Sequence, residues 1–147
     1  MRPSRIASRL FPAVTLTLGL LTAACGGDVA SGPDGSTCLV GAVQFRTELF
    51  FGLNRPQAEP ITNAEFQSFV DTVVTPLFRE GLTTYDARGQ YLLSTGELIL
   101  EDSKVIMVLH DGSAARSADL NSIREQYKQR FAQESVLRID SAPCVAF

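Results

Sequence analysis

The stretch YKQRFAQESVLR, residues 127–138, decides the fold, because a helix is predicted to end and a strand to begin within it. Tyr127 and Phe131 lie four residues apart, as side chains on one stripe of a helix do. Residues 132–134 form the connection, and residues 136–138 are predicted to enter a strand. The C-terminal half of the chain is therefore expected to place a strand directly after a helix.

A strand and a capped helix are predicted further upstream. VQFRTELFFGL, residues 43–53, alternates and then becomes apolar, which is typical of a half-buried strand. Thr62 and Glu65 have the spacing of a capping box, so a helix is predicted to begin there. Pro76 limits this helix, because the residue before a proline avoids helical geometry.

A hairpin, a second helix and a last strand are predicted after that helix. Residues 82–93 and 97–110 form two strand-like arms, with Ser94–Gly96 as the turn. Ser117 is a candidate cap for the second helix, whose stripe includes Leu120, Ile123, Tyr127 and Phe131. Residues 135–139 form the last predicted strand.

The predicted element order is βαββαβ, which indicates an α+β domain of the ferredoxin-like plan. That plan has a four-stranded antiparallel sheet with two helices on one face, and its last strand lies beside its first. The run VIMVL, residues 105–109, is apolar at every position and suits a central strand covered on both sides. We predict one domain over residues 38–147, a length that supports a single core.

The first 24 residues are predicted to be a signal peptide. Three arginines precede a short apolar run, and the ending LLTAAC resembles the bacterial lipobox, in which the Cys is lipidated and becomes the new N-terminus. We therefore predict a lipoprotein with its lipid on Cys25; ordinary secretion is the alternative. Residues 25–37, rich in Gly, Ser and Asp, are predicted to be a flexible tether. The expected location is the cell envelope, lipid-anchored and facing an extracytoplasmic compartment (the periplasm in a bacterium with two membranes).

Removal of the signal makes the chain acidic. All 16 acidic residues follow Cys25 and three of the 13 basic residues precede it, which leaves 10 bases against 16 acids and a net charge of −6. An acidic domain is a poor candidate for binding nucleic acid or an anionic lipid surface. Contact with the membrane is therefore expected through the N-terminal lipid and not through a basic patch.

The two remaining cysteines flank the predicted sheet. Cys38 precedes the first strand and Cys144 follows the last, so a disulfide between them is predicted; two free thiols or a metal pair are the alternatives. If the two cysteines face each other directly across these strands, Phe45 lies opposite Leu137 and Gln44 lies opposite Arg138. No zinc site or other cofactor is expected, because the sequence holds one His and no Cys-x-x-Cys pair.

The sheet face without helices is the predicted binding face. With the register above, it carries Arg46, Glu48 and Phe50 from the first strand, and Val136 and Arg138 from the last. An apolar surface with a few charges is expected to be covered by something. Three readings stay open: a second copy of the chain, a small ligand held by an arginine, or an enzyme pocket.

Several stretches resemble one bacterial family. RTELFFGL, GLTTYDARGQY, SKVIMVLH and YKQRFAQESVLRIDSAPCVAF are similar to the family known as domain of unknown function 3574, from about Thr47 to Phe147. Many members have Trp where this chain has Tyr91. The family has no established activity, so the resemblance implies no mechanism. It does imply that RTELFFGL and QESVLR are hallmarks of the family.

The sequence favours a non-catalytic binding or interaction domain. It contains no nucleophile motif, phosphate-binding glycine loop or metal-ligand set. An arginine and a glutamate spaced like Arg46 and Glu48 on a strand are typical of a salt bridge and not of a catalytic pair. His110 precedes Asp-Gly near Ser113, which is typical of a turn residue and not of a base. The alternative is a small enzyme with a pocket on the helix-free face, in which Glu48 or His110 moves protons.

Overall fold

The computed structural model describes residues 37–147, and for Tyr91 it describes the backbone alone. The predicted signal peptide, Cys25 and nearly all of the predicted tether lie outside the described residues. The described part contains six strands: β1 (Ala42–Val43), β2 (Phe45–Gly52), β3 (Thr83–Leu92), β4 (Leu98–His110), β5 (Leu137–Ser141) and β6 (Cys144–Val145).

The strands form two antiparallel sheets. Four strands lie in the order β3-β4-β2-β5, and the short strands β1 and β6 pair with each other. The predicted α+β class with antiparallel strands and two helices is confirmed. The two-residue strands β1 and β6 were not predicted, because segments this short carry no periodicity.

The first helix, α1 (Asn63–Phe69), begins at the predicted capping box. Thr62 accepts a hydrogen bond from the Glu65 backbone N–H, and the Glu65 carboxylate accepts one from the Thr62 backbone N–H. The helix continues through a π-helical turn, Val70–Val74, and ends before Pro76. The capping box therefore fixes the start of α1 as predicted.

The second helix, α2 (Ala114–Phe131), has its N-cap four residues before the predicted cap, Ser117. Ser113 is the N-cap, and its hydroxyl accepts from the Arg116 N–H. The helix ends at Ala132, which has a left-handed backbone with φ of 55°. Its N–H still donates to the Lys128 carbonyl, as at many helix C-termini.

The core is built around the Tyr127 ring. This side chain is fully buried, and its centroid lies 4.6 Å from that of Phe51, 5.1 Å from Phe69 and 4.7 Å from Phe131. Its hydroxyl donates to the Gly52 carbonyl at 2.8 Å, so the ring is buried without leaving a polar group unpaired. One face of the sheet and both helices contribute to the same core: Leu49, Phe51, Phe66, Phe69, Val70, Ile106, Val108, Leu120, Ile123, Tyr127, Phe131 and Val136.

The Cys38–Cys144 disulfide is present, as predicted, with 5.5 Å between the Cα atoms. The register inferred from it is wrong by five residues: Leu137 lies opposite Phe50 and not opposite Phe45. The cause is a bend over residues 39–41, where Gly41 has a φ of 75°. Because of this bend, Cys144 pairs with Val43 in the ladder while its sulfur reaches back to Cys38.

The β3–β4 hairpin extends beyond the other strands. Residues 103–110 of β4 pair with β2, whereas residues 98–102 pair with β3 alone. The hairpin therefore projects as a two-stranded arm past Gly52, where β2 ends. This arm forms one wall of the cavity described below.

Candidate active site

The sheet face opposite the core, called the outer face here, is defined by alternation along β2. Thr47, Leu49 and Phe51 are buried on the core side, so Glu48 and Phe50 lie on the outer face. Val105 pairs with Phe50 and with Tyr85 on this face and has no exposed surface. Val105 is thus covered at the centre of the outer face, while Tyr85 and Ile139 beside it stay partly exposed and the end near Gly52 is open.

A cavity of about 820 Å³ occupies this open end. Its floor is the outer face of the sheet, and its walls are the projecting β3–β4 arm, the loop over residues 54–60 and the connection over residues 132–135. Its volume lies in the range of small-molecule sites, roughly 300–1,000 Å³. The lining includes Phe50, Gly52, Asn54, Arg55, Pro56, Pro60, Gly89, Glu97, Ile99, Glu101, Ser103, Gln133, Glu134, Ser135 and Leu137.

Glu101 is the half-buried carboxylate of this cavity. It lies on β4, and its side chain extends over the backbone of Gly52, where any Cβ would overlap the carboxylate. Its Oε1 accepts a hydrogen bond from the Asn54 N–H at 3.1 Å. The glycine at position 52 is therefore required for Glu101 to lie flat against the floor.

The electrostatic surroundings of Glu101 leave its charge uncompensated. Burial raises the pKa of Glu101 above its usual range, and the Asn54 N–H opposes this effect in part. Among residues 37–147, no arginine or lysine lies within ion-pair distance of Glu101. Glu97 and Glu134 also line the cavity, so its charge is negative.

Arg55 lines the cavity but is bound elsewhere. Its guanidinium donates to Glu65 at 2.5 Å and lies 5.6 Å from the centroid of the Phe131 ring. The hydrogen bond from Arg55 and, after it, that from the Thr62 N–H lower the pKa of Glu65 to about 2. Arg55 therefore does not neutralise Glu101.

Three of the four predicted binding-face residues lie together on the outer face. Arg46 Nη2 lies 3.3 Å from Glu48 Oε2, and the Tyr85 hydroxyl donates to Glu48 Oε1 at 2.6 Å. Phe50 lies on the same face and lines the cavity. Glu48, which with His110 was a candidate proton carrier in the enzyme alternative, has both carboxylate oxygens engaged, so it is a weaker candidate base than Glu101.

Arg138 lies on the opposite side of the sheet from its predicted position, and so does Val136. An odd register shift moves every side chain of a strand to the other face, so Arg138 lies beside Leu49 on the core side. There it donates to Asp140 at 3.0 Å and to the Ser117 hydroxyl of α2 at 3.1 Å. Val136 is 1% exposed and belongs to the core.

His110 also lies on the core side, at the end of the sheet far from the cavity. Its Nδ1 accepts from the Gly112 N–H at 3.1 Å, so the neutral ring carries its proton on Nε2, 2.9 Å from the Thr47 hydroxyl. Thr47 in turn donates to Asp140 at 2.5 Å, and Arg138 donates to the same carboxylate. The network is satisfied when His110 is neutral.

This network predicts a loss of stability as pH falls below neutrality. Burial lowers the pKa of His110, with Asp140 opposing the effect, so the unfolded chain binds the proton first. Stability present above the unfolded-state value of about 6.5 is then lost as pH falls through it. The free energy of unfolding, measured by urea denaturation, should decline more steeply from about pH 7.5 to 5.5 for the wild type than for His110→Gln. Equal declines in the two proteins would contradict a role for His110 in this loss of stability. Glu101, whose pKa is raised, has the opposite effect on the free energy of unfolding, and it has that effect in both proteins.

Sequence reasoning missed Glu101 and Gln133. Glu101 stands beside Asp102 in a polar stretch of a predicted strand, which is typical of a solvated edge. Its burial depends on the loop over residues 54–60 and on Gly52, and neither contact has a local signal. Gln133 lies in the stretch QESVLR, which the family resemblance had singled out.

Residues 37–147 contain neither a group of metal-ligating side chains nor a helix suited to cross a membrane. In that range no three His, Cys, Asp or Glu side chains are grouped as metal ligands. Neither of its helices combines the length and apolar character that a membrane crossing requires.

Comparison with known proteins identifies the family. The model of the family described as "Protein of unknown function (DUF3574)" matches residues 46–147. This chain belongs to that family. The stretches RTELFFGL and QESVLR, which the family resemblance singled out, both contribute residues to the cavity. No curated protein sequence matches the chain significantly.

Solved structures with a similar fold include an enzyme. A phage SAM lyase in complex with S-methyl-5'-thioadenosine has a TM-score of 0.54 and 22% identity, covering 71% of this chain and 84% of that one. Its apo state also gives 0.54 and 22%, covering 73% and 86%. CutA from Synechococcus elongatus gives 0.47 and 10%, covering 71% and 81%.

The likeness to a lyase corrects one prediction. The sequence favoured a non-catalytic binding or interaction domain, and this is contradicted because the phage protein with the similar fold is an enzyme. At 22% identity the likeness itself establishes the fold alone.

Proposed function

We propose that this protein is an enzyme that cleaves a small cationic molecule in the outer-face cavity, with Glu101 as the general base. The observation that carries the proposal is the Glu101 carboxylate, half-buried over Gly52 and without a cationic partner among the described residues. A carboxylate whose pKa is raised is a better proton acceptor near neutral pH. A cation in the cavity would supply the missing charge.

The size and lining of the cavity favour a ligand of about nucleoside size. The volume is about 820 Å³, and Phe50, Ile99 and Leu137 provide an apolar floor. Glu97 and Glu134 at the walls add negative charge, which attracts a cation and repels phosphorylated compounds. An onium compound with a flat apolar part, such as a sulfonium nucleoside, combines these properties.

The proposed reaction is a base-assisted elimination. Glu101 accepts a proton from the carbon next to the one that bears the sulfonium, a carbon–carbon double bond forms, and the electron pair of the carbon–sulfur bond leaves with sulfur. The products are a neutral thioether and an alkene, and Glu101 becomes neutral. Both charges disappear in this step, so the half-buried position of the Glu101 carboxylate, which disfavours its charged form, favours the step.

Similarity supports this choice of substrate class. The phage SAM lyase shares the fold and was solved with S-methyl-5'-thioadenosine, which is a neutral thioether nucleoside. The ferredoxin-like arrangement, with a four-stranded sheet and two helices on one face, is part of the proposal. So is the position of the cavity on the face that carries no helix.

We also propose a location for the enzyme in the cell envelope, and this proposal rests on the sequence. The lipobox-like LLTAAC supports export and lipid attachment at Cys25, and the disulfide is consistent with an oxidising compartment. A second copy packed on the outer face stays a prediction.

The test is an assay of the purified protein with S-adenosylmethionine. We expect release of S-methyl-5'-thioadenosine, measured by mass spectrometry, faster than in a protein-free sample. The mass of the remaining four-carbon fragment distinguishes elimination from hydrolysis, because hydrolysis adds the mass of one water. Absence of both turnover and saturable binding would overturn the proposal for sulfonium nucleosides.

A further inference from the structure

The connection between α2 and β5 contacts the loop that holds Glu101. The left-handed residue Ala132 ends α2, and the Gln133 N–H donates to the Lys128 carbonyl at 3.1 Å. This closed turn fixes the backbone from which the Gln133 side chain departs. Its amide Nε2 donates to the Asn54 carbonyl at 2.5 Å, across 79 positions of sequence.

Asn54 makes three hydrogen bonds that join β4 to the connection after α2. Its backbone N–H donates to Glu101 Oε1 at 3.1 Å, and its side-chain amide donates to the Leu100 carbonyl at 3.2 Å. Its carbonyl accepts from Gln133. A chain of hydrogen bonds therefore leads from the end of α2, through Asn54, to the carboxylate in the cavity.

We propose that Gln133 is a positioning residue for Glu101, and that it acts by holding Asn54 so that the Asn54 N–H fixes the carboxylate over Gly52. Without the Gln133 amide, the loop over residues 54–60 is still held by the Asn54 contact with Leu100, by the ion pair of Arg55 with Glu65, and by the Leu53 N–H, which donates to the Asp102 carbonyl. The Asn54 N–H then samples directions away from Glu101 Oε1. The inference rests on the proposed function only in taking Glu101 as the reacting group.

The role of the Asn54 N–H makes the effect measurable without turnover. This hydrogen bond is the one influence that lowers the pKa of Glu101, against the burial that raises it. A weaker bond is therefore expected to raise that pKa further, because the charged form loses a donor. A residue that only stabilised the fold would leave the pKa of a neighbouring carboxyl unchanged.

The experiment is an NMR titration of the purified protein with Gln133→Met, which keeps the length of the side chain and removes the amide. We expect an upward shift of the Glu101 pKa relative to wild type, and a smaller response of the Asn54 amide proton when Glu101 titrates. Glu101→Gln assigns the carboxyl signal. Gln129→Met, on the exposed side of α2, is the matched control and should leave both readouts unchanged.

The outcomes separate this inference from the proposed function. An upward shift of the Glu101 pKa in Gln133→Met, together with no turnover by the wild type, would support the positioning role and count against the proposed enzyme. An unchanged pKa and an unchanged Asn54 response in folded Gln133→Met would overturn the positioning role, whatever the activity. If Gln133→Met does not fold, Gln133→Leu provides the same test.

Discussion

Replacing Glu101 with glutamine is expected to lower the turnover of a sulfonium nucleoside by about 10²–10⁴-fold, the contribution usual for a positioned acid or base. Glutamine has nearly the same shape and can still accept from the Asn54 N–H through its carbonyl oxygen. It cannot accept a proton at neutral pH, so the chemical step should be affected more than the fold. Rates of thioether release, measured at saturating substrate, and the melting temperature together test this.

Gly52→Ala provides a second route to the same carboxylate. A Cβ at this position overlaps the Glu101 carboxylate, which is the mobile end of a side chain and can turn away. We expect loss of turnover similar to that of Glu101→Gln, with the carboxylate still present. Glu48→Gln, on the same face but outside the cavity lining, should leave turnover within a few-fold of wild type. A larger loss with Glu48→Gln than with Glu101→Gln would transfer the role of base to Glu48.

Removal of the disulfide by Cys38→Ser with Cys144→Ser is expected to lower the free energy of unfolding by about 4 kcal/mol, as for a closed loop of roughly 100 residues. The bridge joins positions 106 apart, so it restricts nearly the whole described chain in the unfolded state. Urea denaturation of the wild type and the double variant, at one pH, measures the difference.

The remaining cysteine provides the control for this experiment. Cys25→Ser leaves the bridge intact and should not change the unfolding of the folded part. Treatment of the wild type with a reductant should reproduce the double variant. A difference below about 1 kcal/mol between the oxidised wild type and the double variant would contradict this prediction, because the domain would then be stable without the bridge.

The order of helices and strands could be predicted from the sequence because each long element has its own periodicity. The capping box at Thr62 and the stripe of Tyr127 and Phe131 are local signals, and both are confirmed. The strand register is not local. It was inferred from the disulfide on the assumption of straight strands, and the bend at Gly41 made that inference wrong by five residues.

The consequences for the site follow from that register. Because five is odd, Arg138 moved to the core side, whereas Arg46, Glu48 and Phe50 kept their predicted face. Glu101 could not be predicted as a buried group, since its burial requires a backbone without a side chain at Gly52 and a loop donor at Asn54. Three segments distant in sequence have to meet before the cavity exists.

The position where the chain enters the folded part lies at the opposite end of the sheet from the cavity. β1 and the disulfide are next to the first residue of β2, and the cavity begins where β2 finishes at Gly52, roughly 25 Å away for eight extended residues. A protein anchored through Cys25 would therefore be attached to the bilayer at the end of the sheet that lies away from the cavity. The anchor would then leave the cavity open to substrate from the aqueous phase.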